Sequence, residues 1–269
     1  MNITFIGGGN MATALIGGML SEGFTPQQIR VVEISAENRT RLEKDFSVST
    51  FANISAGLAD SQIIVLAVKP QQARELSKEL APLIHNHLLI SIAAGIRATD
   101  LARWCETDAI IRVMPNTPAL IRSGMSGLYA LPAVSEEQRD QAQKILAAVG
   151  EIIWLQDEEM LDALTAISGS GPAYVFYMIE ALQRAALEMG FNAEESRRLA
   201  QSTFLGASKL AVASDEDVSV LRSRVTSKNG TTERALLSLD ANRVAAHIAE
   251  AAQAAQARSC EMGEELGKG

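Results

Sequence analysis

The residues best placed to do chemistry come in two stretches. The first is Gly7-Gly8-Gly9-Asn10-Met11-Ala12, which follows the apolar run Ile3-Thr4-Phe5-Ile6 and leads into the helix-like Thr13-Ala14-Leu15-Ile16-Gly17-Gly18-Met19-Leu20. An apolar strand that ends in glycines and passes straight into a helix is the start of a dinucleotide-binding unit. Gly7 permits the tight turn, and Gly9 leaves the backbone bare for a pyrophosphate. Ala12 takes the third position of the G-x-G-x-x-G/A spacing, where a small residue lets helix and strand pack closely. The phosphates then meet the unpaired N–H groups and the positive end of the helix dipole. The second stretch is the polar loop Val225-Thr226-Ser227-Lys228-Asn229-Gly230-Thr231-Thr232, ahead of a helix expected from about Glu233. Thr231 or Thr232 either caps that helix or leaves its N-terminus free to hold a substrate carboxylate on backbone N–H groups. Composition leaves both readings open.

The elements that must position these residues alternate strand and helix through the first half. Residues 29–33 read as a strand ending in Glu33, about 20 residues beyond the glycines, where a carboxylate bonds the ribose 2′-hydroxyl of NADH and repels a 2′-phosphate. A solvated strand-end acid is the other reading, and Arg39 and Arg41 nearby soften the repulsion. A charged helix over 36–44 and a short strand over 48–50 follow, and Asn53 begins a small helix from which it reaches the adenosine ribose. Residues 63–68 form an apolar run of buried-strand length, stopped by Lys69-Pro70. That corner faces the cofactor, because ligands of open α/β sheets bind beyond the carboxyl ends of strands. A helix over 71–83, a strand over 88–92 ending in Ala93-Ala94-Gly95, a helix over 99–105 and a strand over 109–114 come next. Pro115-Asn116-Thr117-Pro118-Ala119 then makes a stiff loop whose place at a strand end favours a ligand wall over a mere connector. Strands over 125–130 and 152–155 flank a helix over 136–149.

Near residue 157 the pattern turns wholly helical, which divides the chain into an α/β domain over 1–156 and an all-helical domain over 157–269. Ser168-Gly169-Ser170-Gly171-Pro172 interrupts one helix and starts another, with Pro172 suited to a first turn. Residues 173–189 are apolar on nearly every face, so this helix must be buried. A domain of this size has little room to bury it alone, and a subunit interface is expected. Glu180 inside that helix needs a donor as partner. Asn192 caps a helix that runs to about residue 213, and an alanine-rich helix over 241–266 allows close helix–helix approach.

Composition narrows the class. The chain has 269 residues, 47% of them apolar, and a net charge of −8. With no dense basic patch, nucleic acid and anionic membrane are not expected as partners. No apolar stretch reaches spanning length, and the first residues read as a strand rather than a leader. Cys105 and Cys260 belong to no C-x-x-C pattern and read as reduced thiols of a cytoplasmic protein. His85, His87 and His247 make no metal-ligand cluster, and no metal is expected.

Taken together, six segments give the chain a specific resemblance. Phe5-Ile6-Gly7-Gly8-Gly9-Asn10-Met11, Ala67-Val68-Lys69-Pro70, Ser91-Ile92-Ala93-Ala94-Gly95, Met114-Pro115-Asn116-Thr117-Pro118-Ala119, Ser168-Gly169-Ser170-Gly171-Pro172-Ala173-Tyr174 and Gly230-Thr231-Thr232 occur in the order found in the pyrroline-5-carboxylate reductases, across nearly the whole length. The resemblance implies an N-terminal Rossmann-type dinucleotide-binding domain followed by an all-α dimerisation domain. It implies reduction of the cyclic imine L-1-pyrroline-5-carboxylate to L-proline by NADPH or NADH, the last step of proline biosynthesis, in a homodimer or a larger ring of dimers.

By the same resemblance, Ile6, Gly7, Gly8, Gly9, Asn10 and Met11 bind the cofactor phosphates. Ala67, Val68, Lys69, Pro70, Ala93, Ala94 and Gly95 wall the nicotinamide side, and Asn116 shapes that pocket. Ser227, Gly230, Thr231 and Thr232 hold the substrate carboxylate and ring, and the Thr232 hydroxyl bonds the ring nitrogen. The resemblance also implies that this loop faces the dinucleotide-binding half of the partner subunit. Two positions depart from the family. Its usual Ser-Pro-Gly-Gly-Thr-Thr is here Ser227-Lys228-Asn229-Gly230-Thr231-Thr232, and its frequent serine or threonine after the second strand is Glu33. Two other readings stand beside this one. A β-hydroxyacid dehydrogenase has the same architecture but needs a catalytic lysine, for which Lys209 is the sole candidate. A nucleotide-sensing protein would keep the fold without the chemistry.

Overall fold

The computed structural model describes residues 1–268. The chain divides into two compact units: Met1–Ser170 together with the chain from Ala255 on, and Gly171–Ala254.

The first unit opens with β1 (Ile3–Ile6) and α1 (Asn10–Ser21), then β2 (Ile29–Val32), α2 (Ala36–Phe46), β3 (Ser49–Phe51), α3 (Ile54–Gly57), β4 (Ile63–Leu66), α4 (Pro70–Leu80) and β5 (Leu88–Ser91). It continues with α5 (Ala98–Cys105), β6 (Ile110–Met114), β7 (Gly124–Ala130), α6 (Glu136–Ala147), β8 (Gly150–Trp154) and α7 (Met160–Leu164). Eight strands form one sheet in the order β3-β2-β1-β4-β5-β6-β7-β8. All neighbours are parallel except β6 and β7. The exception follows from chain length. A parallel return needs a crossover of about a dozen or more residues, and residues 115–123 hold only the 3₁₀ turn Thr117–Ile121, so β7 comes back antiparallel.

The strands read as continuous apolar runs because both sheet faces are covered. Ile3, Phe5, Ile63 and Val65 pack into one layer, while Ile6, Ile64 and Leu66 pack into the other. Caps mark the helix starts: Ser35 on α2, and Ser135 with Gln138 as a reciprocal capping box on α6. Cys105 is buried in α5 and Cys260 is half-buried, and neither is in a disulfide. Burial pushes the Cys105 thiol up to about 11. At pH 8 a thiol reagent is therefore expected to leave Cys105 of the native protein unmodified and to label it after unfolding in urea. Fast labelling of the native protein, with Cys260 replaced by serine, would show that α5 opens.

The second unit contains α8 (Gly171–Glu188), α9 (Ala193–Val212), α10 (Val218–Arg224), α11 (Thr231–Ala241) and the first part of α12 (Val244–Gly267). α8 packs against α9, which Asn192 and Glu195 open with a capping box. The buried residues here are Ser196 and Ala200, whereas Phe176 and Tyr177 are 66% and 74% exposed. Glu180 is not a buried carboxylate within the chain; it takes an exposed ion pair from Arg184, one turn on, at 3.3 Å.

Three sequence expectations change. Compactness does not divide the chain at residue 156: residues 157–170 and the chain from Ala255 on pack with the sheet. The last helix does not begin at Ala241. Asn242 caps α11 and Arg243 takes a left-handed φ of +54°, which ends one helix before α12 starts. The seven-residue α10 has no strong sequence signal and was not expected. No helix among the described residues is long and apolar enough to cross a membrane.

Candidate active site

The strand order reverses direction between β1 and β4, and a cleft of about 580 Å³ opens at their carboxyl ends. Such a switch point is where open α/β sheets bind ligands. Of the expected cofactor residues, Ile6, Gly7, Gly8, Gly9, Glu33, Asn53, Ala67, Val68 and Lys69 line it. Asn10 and Met11 form the first turn of α1, and Pro70 the first turn of α4, beside the lining.

The three glycines are required for different reasons. Gly7 has φ +101°, and a Cβ there would lie 2.6 Å from the Ala67 carbonyl oxygen. A Cβ on Gly8 would lie 2.7 Å from Leu42 Cδ1. The fold itself makes both demands. At Gly9, however, φ is −72° and a Cβ would meet nothing within 4 Å. The protein leaves room there that it does not use. Gly9 is also the N-cap of α1 and makes no side-chain cap bond, and the first turn carries no acid. Uncapped N–H groups facing an unfilled space fit an anionic group such as a pyrophosphate. Gly9→Ala is expected to weaken nucleotide binding by about tenfold or more at an unchanged melting temperature. Gly7→Ala is expected to lower the melting temperature, since left-handed backbone costs about 1–2 kcal/mol per residue with a side chain. Calorimetric titration and thermal unfolding of both variants check the pair.

Asn53 is the N-cap of α3, with its side-chain oxygen accepting the Ala56 N–H at 3.0 Å. Its carbonyl end is thus committed to the helix. Ala93, Ala94 and Gly95 follow β5 but do not line the cleft; the Gly95 Cα faces Met262 and Leu266 of α12. Asn116 does not line it either. Its amide bridges backbone on both sides, donating to Ser168 O at 3.1 Å and accepting from Met125 N at 2.9 Å. That makes it a clamp between the 114–119 loop and the π turn Thr165–Gly169. The cleft wall has further members that sequence reasoning missed: Ile34, Ala52, Gln71, Gln72, Glu75 and Glu79. The available signal was on α4, where the polar residues 71, 72, 75 and 79 share one side, away from buried Ala73, Ser77 and Leu80.

The polar loop of the helical unit has its own geometry. α11 begins at Thr231, not Glu233, and its N-cap is Gly230. Neither Thr231 nor Thr232 caps it, so that reading is overturned. The Gly230 N–H is committed to Ser227 O at 3.0 Å, which removes Gly230 as a donor for a substrate. Its glycine identity has a packing cause, because a Cβ would run into Ser227 Oγ. The N–H groups left at this helix end are those of the first turn, and the Thr232 side chain is half-buried beside them. Glu233 in the same turn accepts the Asn229 N–H at 2.7 Å. Lys209 is exposed on α9.

A pyrroline-5-carboxylate reductase of Pseudomonas aeruginosa is 44% identical over 268 residues, spanning 99% of this chain and 98% of its own. The chain belongs to the pyrroline-5-carboxylate reductase family. Residues 158–262 match the family described as pyrroline-5-carboxylate reductase dimerisation, and residues 2–95 match NADP oxidoreductase coenzyme F420-dependent. The pyrroline-5-carboxylate reductase structure from Coxiella burnetii has a TM-score of 0.93 at 37% identity, covering 97% of this chain and 98% of that one. The Plasmodium falciparum pyrroline carboxylate reductase with NADP bound has a TM-score of 0.86 at 29% identity, covering 98% of each. Family membership also gives the loop departure a context. Asn229 stands at φ +60°, and the turn closes on the Ser227 carbonyl as described. Asparagine tolerates the left-handed region better than other residues with a side chain. The turn therefore forms without the family's usual proline and glycine.

Proposed function

We infer that the chain reduces L-1-pyrroline-5-carboxylate to L-proline with NADH or NADPH. The observation that carries the cofactor half of this reading is Gly9, a glycine that the protein's own packing does not need. When bound, the dihydronicotinamide supplies the hydride to the imine carbon. The chain's own residues orient and exclude. The α1 N-terminus holds the pyrophosphate, and Ala67–Pro70 walls the cofactor. The buttressed 93–95 turn serves the same end, and Asn116 keeps the neighbouring loop in place. In the helical unit, the first-turn N–H groups of α11 hold the substrate carboxylate with Ser227 and Thr231 beside it. The Thr232 hydroxyl bonds the ring nitrogen.

An imine carbon accepts hydride well only when its nitrogen carries a proton. The substrate enters as the iminium, or Thr232 passes a proton from water to the nitrogen; an ordinary threonine is no strong acid. Thr232→Ala is expected to lower kcat/KM by about 100-fold while nucleotide affinity stays at the wild-type value. Unchanged kcat/KM would remove Thr232 from the chemistry. No nucleophilic side chain is required for this reaction, and the exposed Lys209 has no role in it.

The same reading makes the protein a cytoplasmic homodimer, or a ring of such dimers. Support for pairing comes from the helical unit's exposed apolar side chains and its two buried residues. The deciding assay follows NADH and NADPH absorbance with and without racemic pyrroline-5-carboxylate, and measures proline. Substrate-dependent oxidation that yields proline is expected. A protein that binds nucleotide but oxidises it no faster with substrate would overturn the reading in favour of a sensor.

A further inference from the structure

Glu33 stands where β2 ends, and its carboxylate is already engaged. Oε2 accepts the Gly8 N–H at 3.0 Å and Oε1 accepts the Ser35 N–H at 2.8 Å. A merely solvated strand-end acid would make neither bond. The carboxylate thus sits as a fixed anion on two backbone donors of the glycine turn and the following loop, donors of the kind that bind phosphate elsewhere. Arg39, the cation next in sequence, is committed beneath this corner: its Nη1 donates to the carbonyls of Glu33 and Ile34 at 2.7 and 3.0 Å. Farther along the same cleft, Glu75 and Glu79 add charge of the same sign, although Glu75 has the exposed Lys78 at 3.7 Å. Lys69 is the only cation among the described lining residues.

We propose that Glu33 makes this chain select NADH over NADPH. The inference rests on the cleft being the cofactor site, as proposed above. Each carboxylate oxygen keeps a lone pair beyond its backbone bond, so Glu33 can accept a ribose 2′-hydroxyl without leaving its place. A 2′-phosphate brought to the same spot would meet a carboxylate that two N–H groups hold still. It would find those donors occupied and no unengaged guanidinium to neutralise it. Selection therefore comes from the anchoring of Glu33 as well as from its charge.

Calorimetric titration of the full-length protein with NADH and with NADPH, without substrate, tests this independently of turnover. The wild type is expected to bind NADH about tenfold or more tightly than NADPH. Glu33→Gln keeps the shape and one acceptor but removes the charge. It is expected to bring the two affinities within a few-fold of each other, mainly by improving NADPH. NADPH binding equal to or tighter than NADH by the wild type overturns the proposal whether or not the variant folds, as does a Glu33→Gln ratio equal to the wild type's. If neither nucleotide binds, the cofactor reading of the cleft fails, and this inference fails with it. Equal binding of both leaves that reading standing and sinks only the selection.

Discussion

Arg112→Ala is expected to destabilise the sheet-bearing unit by about 3–5 kcal/mol, the cost of leaving buried charge without its partner. Arg112 lies on β6 with its side chain 5% exposed. Its Nη1 reaches Glu158 Oε1 at 2.8 Å, and its Nη2 lies 3.8 Å from Asp162 Oδ1. Both acids hold other groups in turn. Glu158 accepts the Ala98 N–H at 2.7 Å, which satisfies the start of α5. Asp162, itself buried, accepts Ser259 Oγ at 2.7 Å and the Cys260 thiol at 3.5 Å. One guanidinium thus ties a central strand, the head of α5, the α7 segment and the end of α12 into a single polar cluster. Removing it leaves two carboxylates in a poorly hydrated site. Replacing the cluster with apolar residues of matching volume could cost little; removing one member cannot. Trp104 and Trp154 both belong to this unit, so urea unfolding followed by tryptophan emission reads the loss directly. An unchanged midpoint would mean that water already solvates the cluster.

That cluster also marks where the sequence stops being legible. The glycine turn, Glu33 and the Lys69-Pro70 corner were readable because each combines a local backbone demand with a place at a strand's end. Local pattern likewise sets the strands and most helices. Asn116 sits in an equally visible motif, but its sequence leaves open whether the amide faces a ligand or holds backbone. Only the positions of Ser168 and Met125 decide that, in favour of the clamp. Gly230 was legible as a required glycine, but not the reason: its N–H closes a turn, and its missing Cβ makes room for Ser227. The tail is the clearest failure. In sequence, residues 255–267 look like any alanine-rich helix, and nothing local says that Ser259 bonds an acid 97 positions earlier. Non-local polar pairing leaves no period to read.

Phe176→Asp is expected to abolish both self-association and turnover while leaving the dinucleotide cleft able to bind. The argument starts from what the helical unit lacks. Ordering each residue's backbone costs about 1–2 kcal/mol, and fully burying a large apolar side chain returns only about 1.5–3 kcal/mol. Residues 171–254 bury Ser196 and Ala200, so as an isolated chain their balance is unfavourable. Their apolar side chains lie exposed on several helices: Phe176, Tyr177 and Leu187 on α8, Leu205 and Leu210 on α9, and Leu237 on α11. A second copy of the same chain, as the proposed homodimer requires, supplies the missing burial. A carboxylate at position 176 would then have to enter an apolar contact without a partner, or prevent the contact from forming. Sedimentation of the variant is expected to show a monomer, and circular dichroism to show reduced helicity, because α8 and its neighbours lose the surface that stabilises them. The lining of the dinucleotide cleft runs from Ile6 to Glu79 and belongs to the sheet-bearing unit. Nucleotide affinity is therefore expected to persist where turnover does not. A variant that stays dimeric at full turnover would remove Phe176 from the interface. A monomer with undiminished turnover would overturn the view that pairing is what allows the helical unit to present Thr232.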